Sequence, residues 1–459
     1  MMKRNSMIIS DSEIGKISPG KVGYNPCLTE TGPQPRQPAM AAFLAATLVL
    51  VAVFISPPLV AQVYPERYLE EALKSNPGLQ AGQKAYEASL QQADIASALP
   101  DPELSAGFFT PPMERLMGNQ WFDLRVMQMF PWFGTVERRR TAAHYMAEGT
   151  HHQYREQRNS LFMEMTRLWL EIYKKEQQKE VIRQSVDILK EREDIIYSRY
   201  GGGEQRGGLA LDIYRMEIQI ADLENRIEKI EEEKTYLVRS FNLLAGREET
   251  AAIETPEELP GISGNDIAAP PEENDFGGNP RLNMAAARAE AAEIQKDINR
   301  LMTRPMLGVG LQYSYFAPGR AAMGQMDGGH MIMPMVSVTL PVFRKKNEAT
   351  RQQAVLQSEA AAFRESDQVN NLKIQWAELT AESRNIQRDH DFYLRQLEIT
   401  HKAWELVLTG YAAGDEGFDE LLRLLDQMVD LEWRLLEAKV DQHIKYAEMD
   451  RIHARNIFE

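Results

Sequence analysis

Apolar residues recur at every third or fourth position along two long adjoining segments of the chain. Between Leu209 and Leu244 they step by four and three with only one position skipped, and Ile182–Tyr200 follows the same spacing. A sustained heptad pattern is typical of a helix that packs lengthwise against a partner. We therefore predict two antiparallel helices that meet at the glycine-rich turn 201–208.

The first of these helices is predicted to be very long. A helix over Thr135–Tyr200 has about 66 residues and, at about 1.5 Å per residue, a length of about 100 Å. Few globular enzymes need such an element. Periodicity alone leaves open a coiled-coil rod in the cytoplasm or at the cell surface.

Short segments with period-two alternation interrupt the helices, two in each half of the chain. One face of each is apolar and the other is polar or small, a pattern that predicts strands. The apolar positions are Leu104, Ala106 and Phe108; Phe122, Leu124 and Val126; Leu307, Val309, Leu311, Tyr313 and Tyr315; and Val336, Val338 and Leu340.

The strands have the length and alternation of transmembrane β-strands. Four strands are too few to close a barrel, which needs about eight, and an open edge in lipid leaves backbone groups without partners. The predicted fold is mainly α with a small β part: long antiparallel coiled-coil helices and four strands per chain. Three copies then form a 12-stranded barrel continued by an α-helical tunnel. The alternative is a small soluble sheet that caps a coiled coil.

The sequence also repeats itself. Asn76-Pro77 is echoed by Asn279-Pro280, and further echoes lie at Phe130-Pro131 and Leu340-Pro341 and at the two turns. This indicates a tandem duplication. We predict a leader and signal peptide over residues 1–61, a first repeat over 62–248, a polar Pro- and Gly-rich linker over 249–278 and a second repeat over 279–459.

The leader prediction rests on an uncharged run from Met40 to Ile55 followed by Pro57-Pro58. It reads as a signal-peptide core with cleavage after Ala61, so the remainder is exported. A single transmembrane anchor is the alternative, although the run is short for a span of about 20 residues.

Charge and cysteine content exclude several functions. The net charge of -15 argues against a nucleic-acid surface, and the single Cys27 excludes an internal disulfide and a paired-cysteine metal site. No nucleophile, base or metal constellation is present, and no Lys-Ser or Lys-Thr follows the turn glycines as a phosphate loop requires. We predict no enzyme activity, no catalytic residue, no cofactor, no resident metal site and no nucleic-acid partner.

Methionines are plentiful near the predicted outer loops, at Met113, Met117, Met323, Met326, Met331, Met333 and Met335. Thioethers suit Cu(I) or Ag(I), which makes metal export one hypothesis. Methionine also fills apolar gaps, and a drug or other small molecule is the alternative cargo.

The chain resembles the TolC-like outer-membrane efflux family. The motifs that carry the resemblance are Leu99-Pro100-Asp101-Pro102, Phe130-Pro131-Trp132-Phe133-Gly134, Leu340-Pro341-Val342-Phe343, and Tyr411-Ala412-Ala413-Gly414 with Phe418-Asp419. The resemblance implies a homotrimeric duct with strands in outer-membrane lipid and helices extending into the periplasm. Its partners are then a periplasmic adaptor and an inner-membrane pump, and its function is passive export of small molecules or metal ions.

In that family the helical turns contact the adaptor. The matching positions are Tyr200, Gly203, Leu211 and Asp212 in the first half and Tyr411, Gly414, Phe418 and Asp419 in the second. The first turn departs from the family pattern because it holds five glycines among eight residues.

Acidic residues cluster at the second turn, at Asp415, Glu416, Asp419 and Glu420. Three copies around one axis would form a negative ring that favours cations and tunes an aperture. Alternatively these are the ordinary acidic residues of a first helical turn. A periplasmic coiled-coil scaffold or adaptor without a barrel, and an exported enzyme, remain the rival functions.

Overall fold

The computed structural model describes residues 65–115, 117–191, 206–261, 276–319, 328–413 and 417–453. All of them belong to the unit Gln62–Glu459. The elements are α1 (Glu66–Ser75), α2 (Pro77–Ser97), β1 (Glu103–Arg115), β2 (Gly118–Phe130), α3 (Thr135–Glu191), α4 (Arg206–Ala245), α5 (Pro280–Met302), β3 (Met306–Ala317), β4 (Gly329–Thr339), α6 (Arg344–Ala413) and α7 (Phe418–His453).

The same order of elements occurs twice. A helix, two strands and two long helices form α2-β1-β2-α3-α4, and the order returns as α5-β3-β4-α6-α7. Helix α3 has 57 residues and begins at Thr135 as predicted, and α6 has 70 residues. At 1.5 Å per residue, α6 is about 105 Å long. The predicted mainly helical fold with four strands is confirmed.

The helix that precedes the strands in each half, α2 or α5, starts with an Asn-Pro pair. The side chains of Asn76 and Asn279 accept hydrogen bonds from the backbone N–H groups of Leu79 and Arg281, and a proline follows each cap. This is the geometry of a good N-terminus, because the cap satisfies a free N–H and proline needs none.

The same two asparagines also connect the start of one helix to the end of the last helix in each half. The amide of Asn76 donates to the carbonyl of Leu244 near the end of α4 (3.0 Å), and that of Asn279 donates to Ile452 near the end of α7 (2.9 Å). The repeated Asn-Pro pairs in the sequence therefore make equivalent contacts in the structure.

The four strands form one antiparallel sheet in the order β1-β2-β3-β4. The β2–β3 pair joins the two halves, with Leu124 opposite Tyr313. Within the described residues, β1 and β4 are edges with no second strand partner. The strands are longer than the alternation predicted: Met113 lies in β1, and Met331, Met333 and Met335 lie in β4 rather than in loops.

Two of the three apolar clusters in the described part of the chain contain residues of both α3 and α4. One contains Trp169, Leu170 and Phe241. The indole N–H of Trp169 donates a hydrogen bond to the carbonyl of Glu254 (2.9 Å), which holds the segment after α4 against this cluster. The other contains Ile182 and Leu223, both from the predicted heptad seams and both fully buried. None of the described helices combines the length and apolarity needed to cross a bilayer.

Candidate functional site

The two helical hairpins meet where α6 ends beside the beginning of α4. The hydroxyl of Tyr411 donates a hydrogen bond to Asp212 Oδ2 (3.3 Å), and the Tyr411 ring lies 5.6 Å from the ring of Phe418, centre to centre. Tyr411 is only 2% exposed, so the core fixes its ring and directs its hydroxyl. Three residues of the predicted adaptor set are thus brought together from α4, α6 and α7.

Arg215 connects a fourth residue of that set. Its Nη1 lies 3.0 Å from Asp419 Oδ2 and 3.6 Å from Asp212 Oδ1. One guanidinium therefore lies between a carboxylate on α4 and another on α7. Sequence reasoning missed Arg215, although its position three residues after Asp212 places it on the same helix face.

A third polar contact continues this row. The amide of Gln219 donates to Asp426 Oδ1 on α7 (2.8 Å). Positions 212, 215 and 219 are spaced by three and four residues, so they share one face of α4. We call the six residues Asp212, Arg215, Gln219, Tyr411, Asp419 and Asp426 the latch.

The latch lies along the edge of an apolar cluster that contains Met216, Leu421 and Leu425. The contact between the two halves therefore combines hydrogen bonds and ion pairs with buried apolar packing. Such a contact can separate only if several hydrogen bonds and ion pairs are broken together.

The remaining predicted residues have other positions. Leu211 is 49% exposed, as a docking residue requires. Glu420 pairs with Arg423 within α7, and this hydrogen bond lowers the pKa of the Glu420 carboxyl. Both described acids, Asp419 and Glu420, thus have an arginine partner. Tyr200, Gly203, Gly414, Asp415 and Glu416 lie outside the described residues.

The sheet has one apolar face that is open to its surroundings. Phe108 and Val336 on this face are each 77% exposed. Register pairing places Leu124 between Ala106 and Tyr313, and Val309 opposite Val336, on the same face. Its exposed members are Leu104, Phe108, Leu124, Val126, Phe130, Leu307, Val309, Leu311, Ile332, Val336 and Val338.

Aromatic rings gather at one end of this apolar face. The ring of Phe122 lies 5.9 Å from those of Tyr313 and Tyr315, and the Tyr313 hydroxyl lies 2.5 Å from His330 Nδ1. Rings with a polar atom at an edge are typical of the boundary between lipid and water.

The opposite face is polar. Asp123, Arg125, Gln312 and Ser314 pair across β2 and β3, and the Arg125 guanidinium donates to Gln312 (3.3 Å). In the described part of the chain, no group of three or more His, Cys, Asp or Glu side chains is placed to hold a metal ion.

No protein-family model and no curated protein matches the sequence. Solved structures do match. The outer-membrane channel OprN has a TM-score of 0.70 at 16% identity, over 84% of this chain and 89% of its own. The outer membrane protein VceC from Vibrio cholerae gives 0.68 at 17% identity (86% and 96%), and the MtrE outer membrane channel from Neisseria gonorrhoeae gives 0.64 at 17% (84% and 88%).

The chain has the fold of these outer-membrane channel proteins. The fold implied by the TolC-like resemblance is therefore confirmed. It accounts for the sheet and both helical hairpins together, because each match spans more than four fifths of the chain.

Proposed function

We propose that this protein is the outer-membrane channel of a tripartite efflux or secretion system and works as a homotrimer. The observation that carries the proposal is the sheet, which has an exposed apolar face and two open edges and is followed in each half by long helices, of which α6 is about 105 Å long. An exposed apolar sheet face of this kind would promote aggregation of a soluble protein.

Lipid is the environment that suits the apolar face. A β-sheet is stable in a bilayer only when no edge is left open. Three copies that pair β1 of one with β4 of the next supply twelve strands and remove all the edges, and the polar face with Asp123 and Arg125 then lines the interior.

The long helices also expose apolar side chains that other copies could cover. On α4, Tyr214 and Ile218 are 62% and 70% exposed. On α6 a stripe of exposed apolar side chains recurs at nearly whole numbers of helical turns, at Leu356, Phe363, Ile374, Ile399 and Leu406. These stripes would be covered when the helices of three copies form one tube.

The latch is proposed to hold the periplasmic end of this tube closed. It ties α4 to α6 and α7 at the end where the adaptor would bind through Leu211 and the neighbouring turn residues. Docking of the adaptor and an inner-membrane pump would compete for Asp212 and Asp419, and their release would allow the hairpins to separate. Transport is passive diffusion of small molecules or metal ions.

A charge placed on either face of the sheet tests the proposal. Val336→Lys puts an ammonium group on the apolar face, where lipid contact costs about 2–4 kcal/mol at the bilayer centre. Gln312→Lys is the control, because it puts the same charge on the opposite face. We expect the first variant to be lost from the outer-membrane fraction and the second to be retained. Equal, normal recovery of both would contradict the proposal.

A further inference from the structure

Six methionines share the polar face of the sheet. Register pairing places Met127 opposite Gly310 and Met129 opposite Gly308 on that face, and the same parity holds along β3 and β4. The apolar face, as the register defines it, carries no methionine among the paired residues of β2, β3 and β4. The six are Met127, Met129, Met306, Met331, Met333 and Met335.

Two of the thioethers converge on one point. The sulfur atoms of Met127 and Met129 both lie 3.7 Å from the hydroxyl oxygen of Ser337. They lie over β3, where glycines leave the space open. A Cβ atom at Gly308 would be 2.6 Å from the Met129 sulfur, and one at Gly310 would be 3.0 Å from the Met127 sulfur.

A third thioether belongs to the same row. Met335 is the β4 partner of Gly310, whose β2 partner is Met127, so the two methionines flank a position without a side chain. On the far side of Met127 the register partner is Glu103 on β1.

Packing alone accounts poorly for this distribution. Methionine that merely fills gaps belongs among apolar side chains, whereas these six share their face with Asp123, Arg125 and Gln312. Thioether sulfur is a soft ligand that prefers Cu(I), and Ag(I) has the same preference. A thioether site for such ions does not require a cluster of carboxylates or imidazoles.

We infer that Met127, Met129 and Met335 form a binding site for a soft monovalent metal ion, Cu(I) or Ag(I), inside the duct. The inference deepens the proposed function, on which it rests for the placement of this face in the interior, by naming a substrate class. No resident metal site was predicted from the sequence, and the spacing of these methionines along the chain does not show that their sulfur atoms converge.

The test is Ag(I) binding to the purified mature protein in detergent, measured by calorimetry and by metal analysis after gel filtration. The predicted cleavage after Ala61 removes Cys27, whose thiol would itself bind Ag(I). The site variant is Met127→Leu with Met129→Leu, which preserves apolar volume and packing. The control is Met146→Leu with Met302→Leu, two exposed helical methionines outside the sheet.

We expect at least one Ag(I) per chain, a tenfold or greater loss of affinity in the site variant, and no loss in the control. Equal binding by the site variant and the control, or no binding by the parent chain, would overturn the inference. The elution volume from the same column separates the two proposals: a trimer that binds no Ag(I) removes only the metal site, whereas a chain that is not a trimer removes the proposed function.

Discussion

Tyr411 and Asp212, which are 199 residues apart in the chain, are joined by a hydrogen bond of 3.3 Å between the end of α6 and the beginning of α4. This bond links the two halves of the molecule at one end of their helices. Arg215 adds an ion pair with Asp419 at 3.0 Å. Together they make the contact that would have to break for this end to open.

Weakening the latch should therefore open the proposed channel. Tyr411→Phe with Arg215→Gln removes the hydroxyl and the cation but keeps the ring at position 411 against Phe418 and a polar side chain at position 215. Each lost contact contributes only about 0.5–3 kcal/mol, so the closed state should be weakened and not abolished. We therefore expect a several-fold rise in single-channel conductance in planar bilayers.

Arg423→Gln is the matched control for this experiment. It removes an arginine whose partner, Glu420, lies on the same helix, so no contact between the halves is lost. If the latch variant and the control conduct equally, the latch does not hold the aperture.

The partly buried carboxyl of Glu432 on α7 should make the free energy of unfolding depend on pH. Burial raises the pKa of its carboxyl, and His401 offsets this only in part. The folded state then binds the proton more tightly than the unfolded state, so stability is lost as the pH rises from about 4.5 through the folded pKa. Glu432→Gln should have a higher unfolding midpoint than the parent at pH 7, and the difference should vanish near pH 4.

Circular dichroism of thermal unfolding at several pH values measures this effect. Glu405→Gln, at an exposed position on α6, is the control and should leave the midpoint unchanged at every pH. A Glu432→Gln variant that is less stable than the parent at pH 7 would show that the carboxylate has a stabilising partner.

Asn279→Ala should destabilise the second half of the chain. It removes the N-cap of α5 and leaves the carbonyl of Ile452 without its donor. A cap contributes about 1 kcal/mol and an unsatisfied buried carbonyl costs about 1–3 kcal/mol. Urea unfolding should show a clear decrease, whereas Asn385→Ala at an exposed helical position should change stability by less than about 0.5 kcal/mol. Equal midpoints for the two variants would contradict this assignment.

The long helices and the strand positions were predictable because their packing follows a regular period. Leu223 lies in the heptad seam and is fully buried, and the Asn-Pro pairs mark both helix starts. The extent of β2 was not predictable beyond Val126, because Gln128 interrupts the apolar face while Met127 and Met129 occupy the polar one. That exchange hides the alternation on which strand prediction depends.

The candidate site was predictable only in part. Asp212, Tyr411, Phe418 and Asp419 were predicted through the resemblance, whereas Arg215, Gln219 and Asp426 were missed. Their contacts join residues about 200 positions apart in the chain, and local spacing carries no information about such pairs. The convergence of Met127 and Met129 on Ser337 was hidden for the same reason.

In the proposed function, three chains close one barrel in the outer membrane. The mass of the detergent-purified protein by light scattering, with a heat-modifiability gel on the same outer-membrane extract, tests this. We expect a compact trimer that is found only in that membrane and changes mobility on boiling. A water-soluble monomer or dimer would contradict it and would favour a coiled-coil scaffold.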